Sequence, residues 1–404
     1  MPSVMVSCGE ASGDLYAGAL ALELERLAPA TRVYGLGGER LHAAGADLLA
    51  DYRGLAVTGL TEALRVLPKS FRLLRDLGAR MRSDRPDVLV AIDFPDFNFR
   101  LAADARALGI PVVYYVSPQL WAWRPGRMRT LKKIASKMLV IFPFEAPLYE
   151  REGIPVEFVG HPLIDLIEIT EPRDRFLRGR NLDPAAPTVA LLPGSRPNEV
   201  HAILPGLAAS ARRIRQSVPR VQFVLARAPK LSDNLFDGLA AAAGPVTIVE
   251  GRTDDVLNAA DVVLTASGTA TVQTALHERP MVIVYKLSPL TYALGRPFVK
   301  LDTFGMANLV AGRRVVPELI QADFTPERVA AEAIPLLTDP AKASAMRAAL
   351  REVREKLGEP GASRRAAEAV LTVAATRTKD EGRRTKDEER GTKDVGRCAT
   401  RLPC

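Results

Sequence analysis

The sequence predicts an α/β protein of two Rossmann-like, doubly wound domains in tandem. Three observations carry that expectation. Short apolar runs alternate with stretches of helical periodicity along most of the chain. The alternation stops once, over residues 167–187, where charge and proline take over, and then resumes. The apolar runs are flanked by glycine, proline or polar residues, which punctuate strands.

In the first domain, strands are predicted over 4–9, 32–38, 88–93, 112–117, 138–143 and 156–160. A helix over 15–27 carries Leu20, Leu24 and Leu27 at helical spacing. Strands this apolar suit burial on both faces, hence a mostly parallel sheet covered by helices. In the second domain, strands are predicted over 188–193, 221–226, 246–250, 261–266 and 281–285. The predicted boundaries are 1–168 and 169–345 for the two domains, 346–375 for C-terminal helices and 376–404 for a tail. The tail repeats RTKDEGR, RTKDEER and GTKDVGR without apolar a and d positions, so it reads as low-complexity and disordered. Ligands of doubly wound sheets bind at strand carboxyl ends, which points to a cleft between the two domains.

Composition narrows the function classes. No apolar run approaches the roughly 18–20 residues that span a bilayer. Met1-Pro2-Ser3 leads straight into a strand rather than a signal peptide, which predicts a cytoplasmic protein. The three cysteines (Cys8, Cys398, Cys404) and four scattered histidines make neither a disulfide framework nor a zinc pattern, so no metal is expected. The formal charge of +8 is compatible with anionic small molecules, a membrane surface or nucleic acid. No nucleic-acid-binding motif accompanies it, and no nucleic-acid partner is expected.

Several loops carry chemistry. The first strand ends in Cys8-Gly9-Glu10-Ala11-Ser12-Gly13-Asp14. Its small residues let a ligand approach the backbone, and Glu10 and Asp14 suit sugar hydroxyls better than phosphate. The plain alternative is that Ser12 and Asp14 cap the helix. Asp93 and Asp96 lie in Ile92-Asp93-Phe94-Pro95-Asp96-Phe97-Asn98 after an apolar strand, where Asp93 is a candidate general base and either could instead cap a turn. Trp121 and Trp123 suit stacking on a sugar ring, contact with acyl chains, or core packing. In the second domain, Pro193-Gly194-Ser195-Arg196 offers amides, a hydroxyl and a guanidinium to a diphosphate. Ser267-Gly268-Thr269-Ala270-Thr271 opens a helix as a second anion cradle. Neither loop has a Walker lysine, and no G-x-G-x-x-G follows the first strand. Over residues 60–82, Leu64, Leu67, Phe71, Leu74 and Leu77 recur at helical spacing among Lys69, Arg72 and Arg75. This stretch suits docking on an anionic bilayer, or ordinary packing on the core. Pro68 is expected to break or restart its helix.

In order, these segments resemble the lipid-A-disaccharide synthases from about Val4 to about Ala375. Further carriers are Tyr115-Val116-Ser117-Pro118, Phe142-Pro143-Phe144-Glu145, Gly160-His161-Pro162, Asn308-Leu309-Val310-Ala311-Gly312-Arg313 and Pro317-Glu318-Leu319-Ile320-Gln321. The resemblance implies the glycosyltransferase B fold and an inverting transfer that needs no cofactor. The donor would be UDP-2,3-diacylglucosamine, the acceptor 2,3-diacylglucosamine 1-phosphate, and the products a β-1,6 disaccharide 1-phosphate and UDP. It implies work at the inner face of the cytoplasmic membrane in lipopolysaccharide synthesis, and a possible homodimer. On this reading Asp93 is the base, and Glu10, Ser12, Gly13, Asp14 and Asp96 line the sugar side with Trp121 and Trp123. Gly194, Ser195, Arg196, Ser267, Gly268, Thr269 and Ala270 meet UDP. Asn308, Glu318 and Gln321 belong to the nucleotide-side cleft. Gln273 departs from the family pattern, which usually has glutamate there for ribose hydroxyls. The competing readings are another UDP-sugar enzyme of this fold, an N-acetylglucosaminyltransferase or a 2-epimerase, and a non-catalytic nucleotide-sugar binder.

Overall fold

The computed structural model describes residues 1–54, 60–118, 125–286, 303 and 305–377. Trp121, Trp123 and the repeats after Arg377 lie outside the described residues, as does the side chain of Leu64. The chain forms two compact units. One runs up to Pro162 and is rejoined from Gly361 onward; the other holds Leu163–Pro360.

Among the described residues the first unit is built on seven strands: β1 (Ser3–Cys8), β2 (Arg32–Gly37), β3 (Asp47–Asp51), β4 (Val88–Ile92), β5 (Val112–Tyr115), β6 (Lys137–Val140) and β7 (Val156–Phe158). They pair in the order β3-β2-β1-β4-β5-β6-β7, every pair parallel. β4 and β5 are buried along their whole length, as their uninterrupted apolar sequence requires. β3 escaped the sequence reading because it is an edge strand with aspartate at both ends and a partly exposed Leu49. Among the described residues its only strand partner is β2.

The helix Leu60–Asp84 passes through Pro68 without a break, which corrects the expected interruption. Proline removes one backbone donor, a local loss that the rest of a long helix outlasts when its far end is anchored. That anchor is Leu74, Leu77 and Met81, buried in the core of the sheet's face. Leu74 was expected on a bilayer-facing stripe and is a core residue instead. Leu67 and Phe71, one turn apart and further from the anchor, stay 43% and 53% exposed.

Residues 362–377 form a helix that belongs to this first unit. Ala362, Ala366, Ala367 and Val370 are fully buried, small enough for close approach of the backbone. Arg365 Nε donates to Val159 O at 2.8 Å, and the Arg377 guanidinium to Pro86 O.

The second unit holds β8 (Thr188–Leu192), β9 (Gln222–Arg227), β10 (Thr247–Glu250), β11 (Val262–Ala266), β12 (Met281–Tyr285) and β13 (Glu318–Ile320). Their order is β10-β9-β8-β11-β12-β13, again all parallel. The helix Pro197–Ser217 lays Val200, Ile203, Leu207, Ala211 and Ile214 on the sheet at helical spacing. Each fully buried valine, leucine or isoleucine among them contributes about 1.5–3 kcal/mol. Asp339 caps the helix Pro340–Lys356 by accepting from Ala341 N at 2.9 Å. β13 is three residues long and has no apolar run of its own; pairing with β12 defines it.

Candidate active site

In each sheet the strand order reverses at one place. In the first unit this is between β1 and β4, in the second between β8 and β11. Such switch points open a crevice beyond the strand carboxyl ends. The register pairs Cys8 with Ile92 and Leu192 with Thr265. The Gly9–Asp14 loop therefore adjoins the Asp93–Asn98 loop, and the Pro193–Arg196 loop adjoins Ser267–Thr271. Four motifs far apart in sequence become two neighbouring pairs.

Around the first switch point the backbone is tightly constrained. Asp93 and Phe94 both take left-handed conformations, with φ of 45° and 50°. Each such non-glycine residue costs on the order of 1–3 kcal/mol, and strain of this kind gathers at functional sites. Phe94 stacks on Phe97 at 5.3 Å and covers Gly9 so closely that a Cβ there would lie 2.1 Å from the ring. The Asp93 side chain is half-buried, as are Glu10 and Ser12, while Gly13 is buried against Cys8. Asp96 is exposed and paired with Arg127.

Asp14 has another occupation. It is 3% exposed, and its carboxylate accepts from Gly38 N at 2.7 Å, Arg40 N at 3.0 Å and Leu41 N at 3.2 Å. It satisfies the first turn of the helix Glu39–Ala43 and ties β1's loop to β2's. The sequence reading placed Asp14 among sugar ligands and did not foresee the short helix it serves.

Tyr16 and His161 are buried beside this loop, with their rings in edge contact at 5.9 Å. Burial, then the charge of Asp93, pushes the Tyr16 pKa up, so the phenol stays protonated. Burial lowers the His161 pKa to about 3, leaving a neutral imidazole against Phe142. Tyr16 was not singled out in the sequence, because a tyrosine within a helix carries no local signal.

In the second unit, Gly194 has φ of 120°, and Ser195 is exposed. Glu199 Oε2 accepts from Ser195 N at 3.2 Å and lies 3.4 Å from Arg196 N, while Glu199 Oε1 meets Arg196 Nη1 at 3.1 Å. A carboxylate thus already engages the amides read as a diphosphate cradle, and Glu199 had been passed over. Its spacing three residues after Arg196, at a helix start, was the available signal. The other cradle is open. Gly268 and Thr269 are exposed at the start of the helix Thr269–Leu276, and a Cβ on Gly268 would meet nothing within 4 Å. Ser267 N is taken by Val284 O at 3.1 Å.

Asn308 and Glu318 are buried and bonded to one another at 2.6 Å. Asn308 Oδ1 also accepts from Val315 N at 2.7 Å and Val316 N at 2.9 Å, and Glu318 accepts from Gly305 N at 3.0 Å. These two residues shape the segment leading into β13. Gln321 follows it with φ of 55°, and its Nε2 is buried with no hydrogen-bond partner among the described residues. Gln273 donates to Asp254, which also meets His277. Among the described residues no cluster of three or more His, Cys, Asp or Glu could hold a metal, and no helix is long and apolar enough to cross a membrane.

The sequence profile of the family described as lipid-A-disaccharide synthetase matches residues 4–373. The chain belongs to this family. It is 46% identical over 372 residues to a lipid-A-disaccharide synthase of Geobacter sulfurreducens, covering 91% of this chain and 96% of the relative. A relative of the same name in Myxococcus xanthus is 42% identical over 371 residues, covering 92% and 97%. Family membership makes the chain a glycosyltransferase of lipid A biosynthesis. Solved structures share its fold at low identity. A UDP-GlcNAc 2-epimerase from Neisseria meningitidis, bound to UDP-GlcNAc, superposes with TM-score 0.66 at 14% identity, covering 92% of this chain and 100% of that one. A calicheamicin glycosyltransferase does so with TM-score 0.60 at 18% identity, covering 93% and 99%. The expected two-sheet glycosyltransferase fold is therefore the one observed.

Proposed function

We propose that this chain transfers 2,3-diacylglucosamine from its UDP donor to 2,3-diacylglucosamine 1-phosphate. The observation that carries the reading is family membership across residues 4–373. The two loop pairs at the switch points support it, because they supply one group of residues for each half of the reaction.

The half-buried Asp93 takes the proton from the acceptor 6-hydroxyl as that oxygen attacks the anomeric carbon. The new C–O bond forms on the face opposite the breaking bond to the diphosphate, so configuration inverts. The electron pair of the breaking bond leaves with UDP. Arg196 and the open helix start at Gly268–Thr269 offset the charge that builds there. Glu10 and Ser12 orient a sugar, while Asp14 acts by holding their loop against Gly38 and Arg40. Asn308 and Glu318 act in the same indirect way, by shaping the segment that presents Gln321. On this reading the acyl chains and the exposed Leu67 and Phe71 meet the inner face of the cytoplasmic membrane, with Lys69, Arg72 and Arg75 toward anionic headgroups.

A detergent-dispersed assay with both acylated substrates tests the reading, following UDP release and the disaccharide by mass spectrometry. Asp93→Asn is expected to lower turnover by about 10²–10⁴-fold while UDP binding persists. Near-normal turnover of that variant removes Asp93 as the base. Rapid turnover of water-soluble UDP-N-acetylglucosamine, with no acylated product, replaces the reading with another UDP-sugar reaction.

A further inference from the structure

Asp93 is held on both sides of its Cα by groups that the reaction itself does not require. Its amide donates to Tyr115 O on the neighbouring strand at 3.2 Å. Its carbonyl accepts two side-chain donors, Asn98 Nδ2 at 2.8 Å and Tyr114 Oη at 2.8 Å. The peptide planes before and after the Cα are therefore both tied down. With those planes set, the tetrahedral Cα dictates where the Cβ goes, and two side-chain torsions complete the direction of the carboxylate.

The donors are themselves immobilised. Asn98 has no exposed surface. Its Oδ1 accepts from Ser7 Oγ at 2.6 Å, and its Nδ2 also reaches Ser7 O at 3.1 Å and Ile92 O at 3.2 Å. One asparagine thus joins β1, the end of β4 and the turn that follows. Tyr114 is fully buried on β5 with its ring against Phe99. Burial, and next the Asp93 charge, keep its phenol protonated, so it remains a donor. The turn needs this restraint, because Asp93 and Phe94 are consecutive left-handed residues and neither is glycine.

We propose that Tyr114 and Asn98 are positioning residues that aim the Asp93 carboxylate at the acceptor hydroxyl by clamping the Asp93 carbonyl in the left-handed turn. This rests on the reading of Asp93 as the base. An alternative is that both residues only fill and satisfy the core.

Tyr114→Phe separates the two, since it keeps the ring and removes one donor. The expected result is a kcat lower by about tenfold, because small displacements of a reacting group are costly in rate, with both KM values and the UDP affinity unchanged and only the small drop in melting temperature that one lost hydrogen bond brings. Combined with Asp93→Asn, Tyr114→Phe is expected to have no further effect, since there is then no base to aim. Asn98→Ser is expected to lower kcat in the same way and to be equally silent in the Asp93→Asn background. Turnover of Tyr114→Phe at the wild-type level, with Asp93→Asn inactive, overturns the positioning role and leaves the base in place. A further tenfold loss in the double variant also overturns it. Full activity of Asp93→Asn removes the base assignment and this inference together.

Discussion

Gln273 Nε2 lies 2.8 Å from Asp254 Oδ1, and the same oxygen is 2.7 Å from His277 Nε2. A carboxylate accepts and does not donate, so the amide of Gln273 is oriented with its nitrogen toward Asp254. Its Oε1 is then the atom left to accept from a ligand hydroxyl. Burial works to raise the Asp254 pKa, but the bonds from His277, Gln273 and Glu168 N outweigh it and hold the pKa below the usual value. The helix carrying Gln273 begins at Thr269, so Gln273 sits about one turn, roughly 5–6 Å, beyond the anion cradle. That spacing suits the step from diphosphate to ribose. Asp254→Asn lets the amide turn over, and the expected outcome in calorimetric titration is UDP bound about tenfold more weakly, near 1.4 kcal/mol. The 2′-deoxy analogue should be less affected. Equal losses for both ligands would contradict the ribose contact.

Gly9 has no room for a side chain. A Cβ would sit 2.1 Å from Phe94, whose ring is stacked on Phe97 and whose backbone is left-handed. Gly9→Ala is expected to destabilise the fold by about 1–3 kcal/mol through overpacking and to disturb Asp93 next door. Urea unfolding with unchanged midpoint would show that the ring moves aside freely.

His161 makes acid stability a second readout. Its pKa is lowered to about 3 by burial, against about 6.5 in an unfolded chain. Between those values the unfolded chain binds the proton and the folded one does not. The stabilising contribution is therefore complete above about pH 6.5 and falls as pH drops toward 3, by up to roughly 1.4 kcal/mol per pH unit. His161→Gln is expected to flatten this part of the stability profile, measured by denaturation between pH 4 and 7, whatever it does to stability at neutral pH. A profile as steep as wild type would assign the acid sensitivity elsewhere.

Leu67 and Phe71 remain more than two-fifths exposed although large and apolar, and the Arg100 guanidinium lies 4.8 Å from the Phe71 ring centre. Replacing both with serine is expected to weaken flotation with anionic phospholipid vesicles and to leave the melting temperature unchanged, since neither residue supports the core. Undiminished vesicle binding would move the membrane contact to another surface.

Much of the framework is legible without coordinates. Six first-unit strands and five second-unit strands were read to within a few residues, because buried parallel strands are short continuous apolar runs. The four candidate loops at the switch points were legible because glycine, serine and aspartate at strand ends break that pattern. β3 and β13 were missed for the opposite reason: three or five residues with charges at an end are strands only through pairing with β2 and β12. Tyr114 and Asn98 read as a core strand residue and a turn residue, since nothing local marks a side chain that bonds the carbonyl of Asp93.

By itself the sequence determined two series of alternating strands and helices, the polar turns between them and, through the order of those turns, the family. Only the tertiary structure decided which turns are neighbours, that Asp14 and Glu199 already serve backbone amides, and that residues 361–377 return to the first unit. Periodicity and turn chemistry act over a few residues and are written in the chain. Strand order, and the amide or carbonyl that a buried polar group will meet, depend on residues tens to hundreds of positions away, and only packing selects among them.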